Sequence, residues 1–243
     1  RQLQHVGNGE ALDLHVQHVA PVALAAAGLA GHVDVGEEDH LHEHGAGALG
    51  AVFYAKSPRH VSAEQARELF DGLPPELARV GVFVNAPLDA MLQTARDARL
   101  DTLQLHGEES AETCAALLRE GFHVIRVLKT TGDELLASAR TLPPGAGILV
   151  ECGKGILPGG NAAIWDWSKA APLADFRPFA IAGGLHPDNL AVAARVSRAA
   201  AFDASSGVES APGVKDEAAV RAFLRAAAEL PHPPFPFSWK GKP

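Results

Sequence analysis

Short, nearly unbroken apolar runs alternate along most of this chain with segments whose apolar positions recur every three or four residues. The runs are Ala48–Tyr54, Arg79–Asn85, Thr102–His106, His123–Lys129, Gly147–Cys152, Phe179–Ala182 and Ala200–Asp203. A strand buried on one face alternates apolar with polar, so these runs predict strands covered on both faces, as in a parallel sheet. The periodic segments predict helices near Ser62–Gly72, Pro87–Arg99, Ser110–Glu120, Asp133–Thr141 and Trp165–Ala174, another opening at Pro187–Asp188–Asn189, and a last one at Glu217–Leu230. The units repeat at a spacing of roughly 20 to 30 residues, long enough for the crossovers that join parallel strands. Seven β-then-α units make either an open doubly wound sheet or an α/β barrel of the (β/α)8 TIM type whose first unit is atypical or missing.

The missing unit belongs in residues 1–47, and that segment fits poorly. It holds no lysine and seven of the twelve histidines, three of them as His40-x-His42-x-His44 after Glu37–Glu38–Asp39. A strand could be drawn at Leu12–Val16 or a helix through Ala20–Ala30, neither with a clear period or cap. Past Leu230 the sequence PHPPFPFSWKGKP cannot continue a helix, because each proline removes a donor and clashes with the preceding turn. It reads as an extended, mobile tail with incidental aromatics. The chain thus divides into residues 1–45, 46–230 and 231–243.

Composition narrows the partners. A formal charge of −8 repels nucleic acid and anionic membrane, so an anionic ligand needs local positive groups. Two cysteines, Cys114 and Cys152, are too few for a disulfide scaffold and agree with a reducing, cytoplasmic setting. The apolar run Val19–Gly31 is too short to span a bilayer and lacks a basic flank.

Chemistry concentrates where strands end. Phe179–Ala182 breaks at Gly183–Gly184, and Ala200–Asp203 at Ser205–Ser206–Gly207. Glycine lets backbone approach a ligand and N–H groups at a helix start favour an anion, so paired turns predict a phosphate cup, where barrels place one after strands seven and eight. Two αL turns of an ordinary α/β protein would read the same way. Arg59 offers a fork for a carboxylate or phosphate, or caps a neighbouring loop. Glu151 follows Ile148–Val150, where desolvation would raise its pKa enough for an acid, or it pairs with Lys129 or Lys154. His106 is a site histidine or a packed one.

The strings AVFYAKSPRHVS, RVGVFVN, TLQLHGEES, ILVE…GG…WDW, AIAGGLHPDN and FDASSGVESAPGVKD, in this order, resemble phosphoribosylanthranilate isomerase from about Gly45 to Leu230. The resemblance implies a cofactor-free, metal-free (β/α)8 barrel of tryptophan biosynthesis. Its reaction is an Amadori rearrangement of N-(5-phosphoribosyl)anthranilate to the carboxyphenylamino-deoxyribulose phosphate. It implies a small phosphorylated substrate held at Gly183, Gly184, Ser205, Ser206 and Gly207, with Arg59 facing the anthranilate carboxylate. His106 and Asp203 become further polar contacts. The family's acid is an aspartate at the end of strand six; here that position is Glu151, one methylene longer.

One departure concerns the base. The family's first strand reads K-x-C-G, and its cysteine removes the C2 proton. Counting back from Tyr54, that cysteine falls near Ala30 and the lysine near Gly28, with only Gly31 agreeing. Cys114 is predicted on an outer helix, and Cys152 points away from the face that Glu151 uses. No base is identified, and a makeshift first strand is expected around Leu29–Val35. A change of translation frame upstream would produce such an onset. Two other functions remain open: an inactive barrel that binds a phosphorylated sugar, and a metal-dependent hydrolase built on His40, His42 and His44.

Overall fold

Serine and aspartate side chains start three of the α-helices by satisfying amides that the first turn leaves unpaired. Ser62 accepts from Gln65 N while Gln65 returns a bond to Ser62 N, a reciprocal cap on α1, Ala63–Phe70. Ser110 caps α3, Ala111–Arg119, and Asp216 caps α6, Glu217–Ala228. Between them lie α2, Leu88–Asp97, α4, Asp133–Thr141, and α5, Leu190–Ser197. The computed structural model describes residues 22–25, 46–129, 133–151, 165–231 and 237–240.

Eight parallel strands close into a barrel in chain order. They are β1, Val22–Ala25; β2, Ala46–Val52; β3, Ala78–Phe83; β4, Thr102–Leu105; β5, His123–Leu128; β6, Gly147–Val150; β7, Ala180–Ile181; and β8, Ala201–Ala204. The seven units expected from Ala48 onward are all present, and the first strand is not missing. Val22–Ala25 pairs with Ala46–Gly50 on one side and Phe202–Ala204 on the other, filling the gap between two otherwise open edges. That strand lies inside the stretch that could be drawn as a helix and upstream of Leu29–Val35, which lies outside the described residues, as does Leu12–Val16. The helix expected near Trp165–Ala174 is a 3₁₀ helix, Trp167–Asp175, with Pro172 inside it. A two-stranded hairpin that periodicity did not predict, β9 Glu209–Ala211 and β10 Val214–Lys215, follows β8.

The larger core packs helices onto the outer face of the barrel, with Leu103, Leu105, Ile148, Val150 and Phe202 pointing outward. The inner face forms a second cluster, and six of its ten barrel residues are alanines, including Ala48, Ala78, Ala180 and Ala201. Alanines leave the interior underfilled, and the C-terminal segment fills it. Phe237 and Trp239 are 6% and 3% exposed and meet edge to face, ring centroids 4.9 Å apart. Gly147 makes room for Phe237, since a Cβ there would sit 3.3 Å from the ring. Thr102 Oγ1 donates to Trp239 O, and Lys240 Nζ pairs with Asp101 at 3.3 Å. The mobile tail of the sequence reading is therefore corrected: at 237–240 it is the floor of the barrel, because a hollow apolar end offers those aromatics burial.

Candidate active site

Side chains alternate along a strand, and the parity that points Thr102, Leu149 and Ala201 inward also points in His106, Glu151 and Asp203. These three stand at the C-terminal ends of β4, β6 and β8, alternate strands that share one interior layer in barrels of this kind. His106 and Glu151 are buried, with Nε2 and Oε2 2.9 Å apart but without the alignment of a hydrogen bond. Burial first, then the Glu151 charge, push the Asp203 carboxyl up to about 7, against the pull of His106 and Lys215.

The loop behind His106 is held by one carboxylate. Glu109 accepts from Gly107 N at 2.8 Å and Asn85 N at 2.7 Å, while Asn85 Oδ1 accepts from Glu108 N. Arg126, buried on the outer side of β5, donates to Leu105 O and Val127 O and stands 3.7 Å from Glu109. These contacts fix the loop on which His106 stands.

The two turns predicted to form a cup lie together. Gly183 and Gly184 have φ of +88° and +70°, the left-handed region in which a side chain is strained. Trp165 Nε1 donates to Ala182 O at 2.9 Å and Trp167 Nε1 to Gly183 O at 3.3 Å, so the WDW string pins the first turn by its carbonyls. Asn189 does not cap α5 as its position suggested. Its side chain instead closes the turn, donating to Gly184 O and accepting from His186 N. Among the described residues the amides of Gly183 and Gly184 donate to no other group. A Cβ on Gly207 would fall 1.9 Å from Leu185 O, so glycine there lets the second turn press against the first.

Arg59 is buried on the β2–α1 loop, and its fork is engaged: Nε and Nη2 donate to Glu209 at 2.8 and 2.5 Å. Lys215 Nζ donates to Glu209 Oε1, the oxygen that Arg59 Nε also reaches, and to Ser205 O, each at 2.9 Å. Burial works to raise the Glu209 carboxyl, but hydrogen bonds from Arg59 and Lys215 hold it below the usual range. Burial lowers the Lys215 ammonium. Sequence reading missed both residues. Their signal was a charged pair flanking Pro212–Gly213, a turn that sets Lys215 directly across from Glu209.

Cys114 is buried within α3 on the outer layer, where burial raises its thiol pKa. Cys152, Lys154 and the histidines at 40, 42 and 44 lie outside the described residues. Among the described residues no cluster of three or more ligating side chains could hold a metal ion, and no helix is long and apolar enough to cross a membrane.

Comparison with known proteins shows what the chain as a whole is similar to. The family model of N-(5'-phosphoribosyl)anthranilate (PRA) isomerase matches residues 37–226. The N-(5'-phosphoribosyl)anthranilate isomerase of Geobacter metallireducens is 43% identical over 185 residues, 76% of this chain and 90% of that protein. The phosphoribosyl anthranilate isomerase of Thermotoga maritima superposes with a TM-score of 0.73 at 36% identity, over 87% of this chain and all of that one. Another such isomerase, solved in complex with reduced 1-(o-carboxyphenylamino)-1-deoxyribulose 5-phosphate, has a TM-score of 0.71 at 35% identity, again over 87% of this chain and all of its own. With most of the chain matched in sequence and its strands closed into the same barrel, this protein belongs to the N-(5'-phosphoribosyl)anthranilate isomerase family.

Proposed function

We propose that this chain converts N-(5'-phosphoribosyl)anthranilate to 1-(2-carboxyphenylamino)-1-deoxyribulose 5-phosphate in tryptophan biosynthesis, in the cytoplasm and without a cofactor. The observation that carries the proposal is the convergence of Glu151, His106 and Asp203 beside the two glycine turns, in a chain of this family. The substrate phosphate sits on the amides of Gly183 and Gly184 and on the Ser205–Ser206–Gly207 turn, where backbone dipoles supply local positive potential in a chain of net charge −8. Glu209 and Lys215 fix the plane of Arg59. The guanidinium nitrogen that Glu209 does not use, Nη1, is the one that meets the anthranilate carboxylate.

Glu151 protonates the furanose ring oxygen, the C1–O bond breaks, and the anilino nitrogen forms the Schiff base. His106 Nε2 stands beside the carboxyl, 2.9 Å from Glu151 Oε2. The extra methylene relative to an aspartate is accommodated beside Gly183, whose missing Cβ would lie 3.3 Å from Glu151 Cγ. Glu151→Gln keeps the shape and removes the proton, so kcat should fall by about 10²- to 10⁴-fold while affinity for the reduced product analogue stays within a few-fold. Full turnover in that variant would refute the role of Glu151. A second reading, a barrel that binds the phosphorylated sugar without turnover, is favoured by one fact: there is no cysteine before Cys114. Analogue binding without turnover by the unaltered protein would establish it.

A further inference from the structure

The rearrangement needs a second group, one that removes a proton from carbon. We propose that Asp203 is this base. The inference rests on the isomerase reading above and on where the remaining proton acceptors stand.

The acceptors left to weigh at the site are His106, Glu151, Asp203 and Glu209, since Glu109 is taken up by the Gly107 and Asn85 amides and His186 stands half-exposed beside Asp188. Glu151 is committed to the ring oxygen. Glu209 has Arg59 on both oxygens and Lys215 on one, an arrangement that makes it a weak base. His106 turns Nε2 toward Glu151 and buries Nδ1 out of reach of a ligand. Asp203 remains, pointing inward from β8 beside β1, where its Cα partner is Ala23. It lies two residues before Ser205, about 7 Å along the strand. That offset is comparable with the reach of a pentose from its C5 phosphate to C2, so a substrate seated in the cup hangs its C2 hydrogen near this carboxylate.

The surroundings favour proton transfer. A carboxylate gains strength as a base when its pKa is raised, and burial and the Glu151 charge raise that of Asp203, tempered by His106 and Lys215. The steps balance. Glu151 gives its proton to the ring oxygen and C1–O breaks. Asp203 takes the C2 proton, and the C–H electron pair forms C1=C2 as the iminium pair returns to nitrogen. The enol hydroxyl then returns a proton to Glu151, Asp203 delivers its proton to C1, and both groups are restored.

The test compares the unaltered protein with Asp203→Asn and Cys152→Ser. Each is assayed for turnover of N-(5'-phosphoribosyl)anthranilate across pH and for calorimetric binding of the reduced product analogue. We expect Asp203→Asn to lose about 10²- to 10⁴-fold in kcat, with analogue affinity within a few-fold. Cys152→Ser should keep its rate. In the unaltered protein kcat/KM should rise with pH through a midpoint near 7, the value to which Asp203 is pushed. The inference is overturned if Asp203→Asn keeps more than a tenth of the turnover, or loses analogue affinity in parallel, or if Cys152→Ser is the variant that dies. An unaltered protein that binds the analogue but does not turn over the substrate also overturns it. One that does neither overturns the proposed function as well.

Discussion

Trp239→Ala tests whether the C-terminal segment holds the barrel together. The indole is 3% exposed, and a side chain of its class buries roughly 150–250 Å², worth about 4–6 kcal/mol at ~25 cal/mol per Å². Against this, Trp239 Nε1 is buried and finds no partner among the described residues, which costs about 1–3 kcal/mol and vanishes with the indole. The bond from Thr102 ends on the backbone carbonyl and does not depend on the side chain. The net expectation is a loss of about 1–5 kcal/mol, centred near 3. For a chain of this size each kcal/mol shifts Tm by roughly 2–4 °C, so the midpoint should drop by about 6–12 °C at the central value. Urea unfolding should show a lower midpoint at unchanged slope, which separates stability from denatured-state compactness. Lys240→Ala serves as control, because a partly exposed pair with Asp101 contributes less than about 1 kcal/mol. Below the transition the analogue should bind Trp239→Ala as it binds the parent, since the cup is at the opposite end. A Trp239→Ala protein within about 1 kcal/mol of the parent would mean that the segment does not occupy the barrel floor in solution.

Two further outcomes are expected. Gly207→Ala puts a methyl 1.9 Å from Leu185 O, so it should separate the two turns, lowering both analogue affinity and Tm, whereas a preserved affinity would remove the contact from the cup. Asp203→Asn should stabilise the protein at alkaline pH: the folded pKa of about 7 exceeds the unfolded value near 3.8, so the native state binds the proton more tightly. Parent stability therefore falls as pH rises from about 4 to 7, by up to about 4 kcal/mol, and the asparagine, which does not titrate, should escape that fall; parallel pH profiles of the two proteins in thermal unfolding would refute the raised pKa.

The strands read from apolar runs emerged within a residue or two, because burial on both faces leaves a mark that local sequence retains. Val22–Ala25 left none. It is a stretch of small residues made a strand by the two edges it joins, a tertiary demand outweighing propensity. Phe237 and Trp239 were misread for a related reason: proline spacing forbids a helix but does not say what an extended segment packs against. The glycine turns were legible from residue type alone. Their locks, the indoles of Trp165 and Trp167 and the Asn189 amide, bond to carbonyls that no periodicity reveals. The clamp of Arg59 and Lys215 on Glu209 depends on a contact across 150 residues, beyond any local pattern.

The aromatic floor also bears on how the barrel forms. Thr102 and Trp239 are separated by 137 positions, so the inner layer is finished only after a long closure whose entropy is lost before burial offsets it. Until then the alanine-lined end is hollow and solvated, and its strands, those that carry Glu151 and Asp203 among them, are packed from the outside alone. Floor contacts should accordingly be late ones, absent from the folding transition state. Weakening them would leave the folding rate nearly unchanged and speed unfolding, so that the lifetime of the native enzyme, more than its rate of appearance, is set by two rings far from the chemistry.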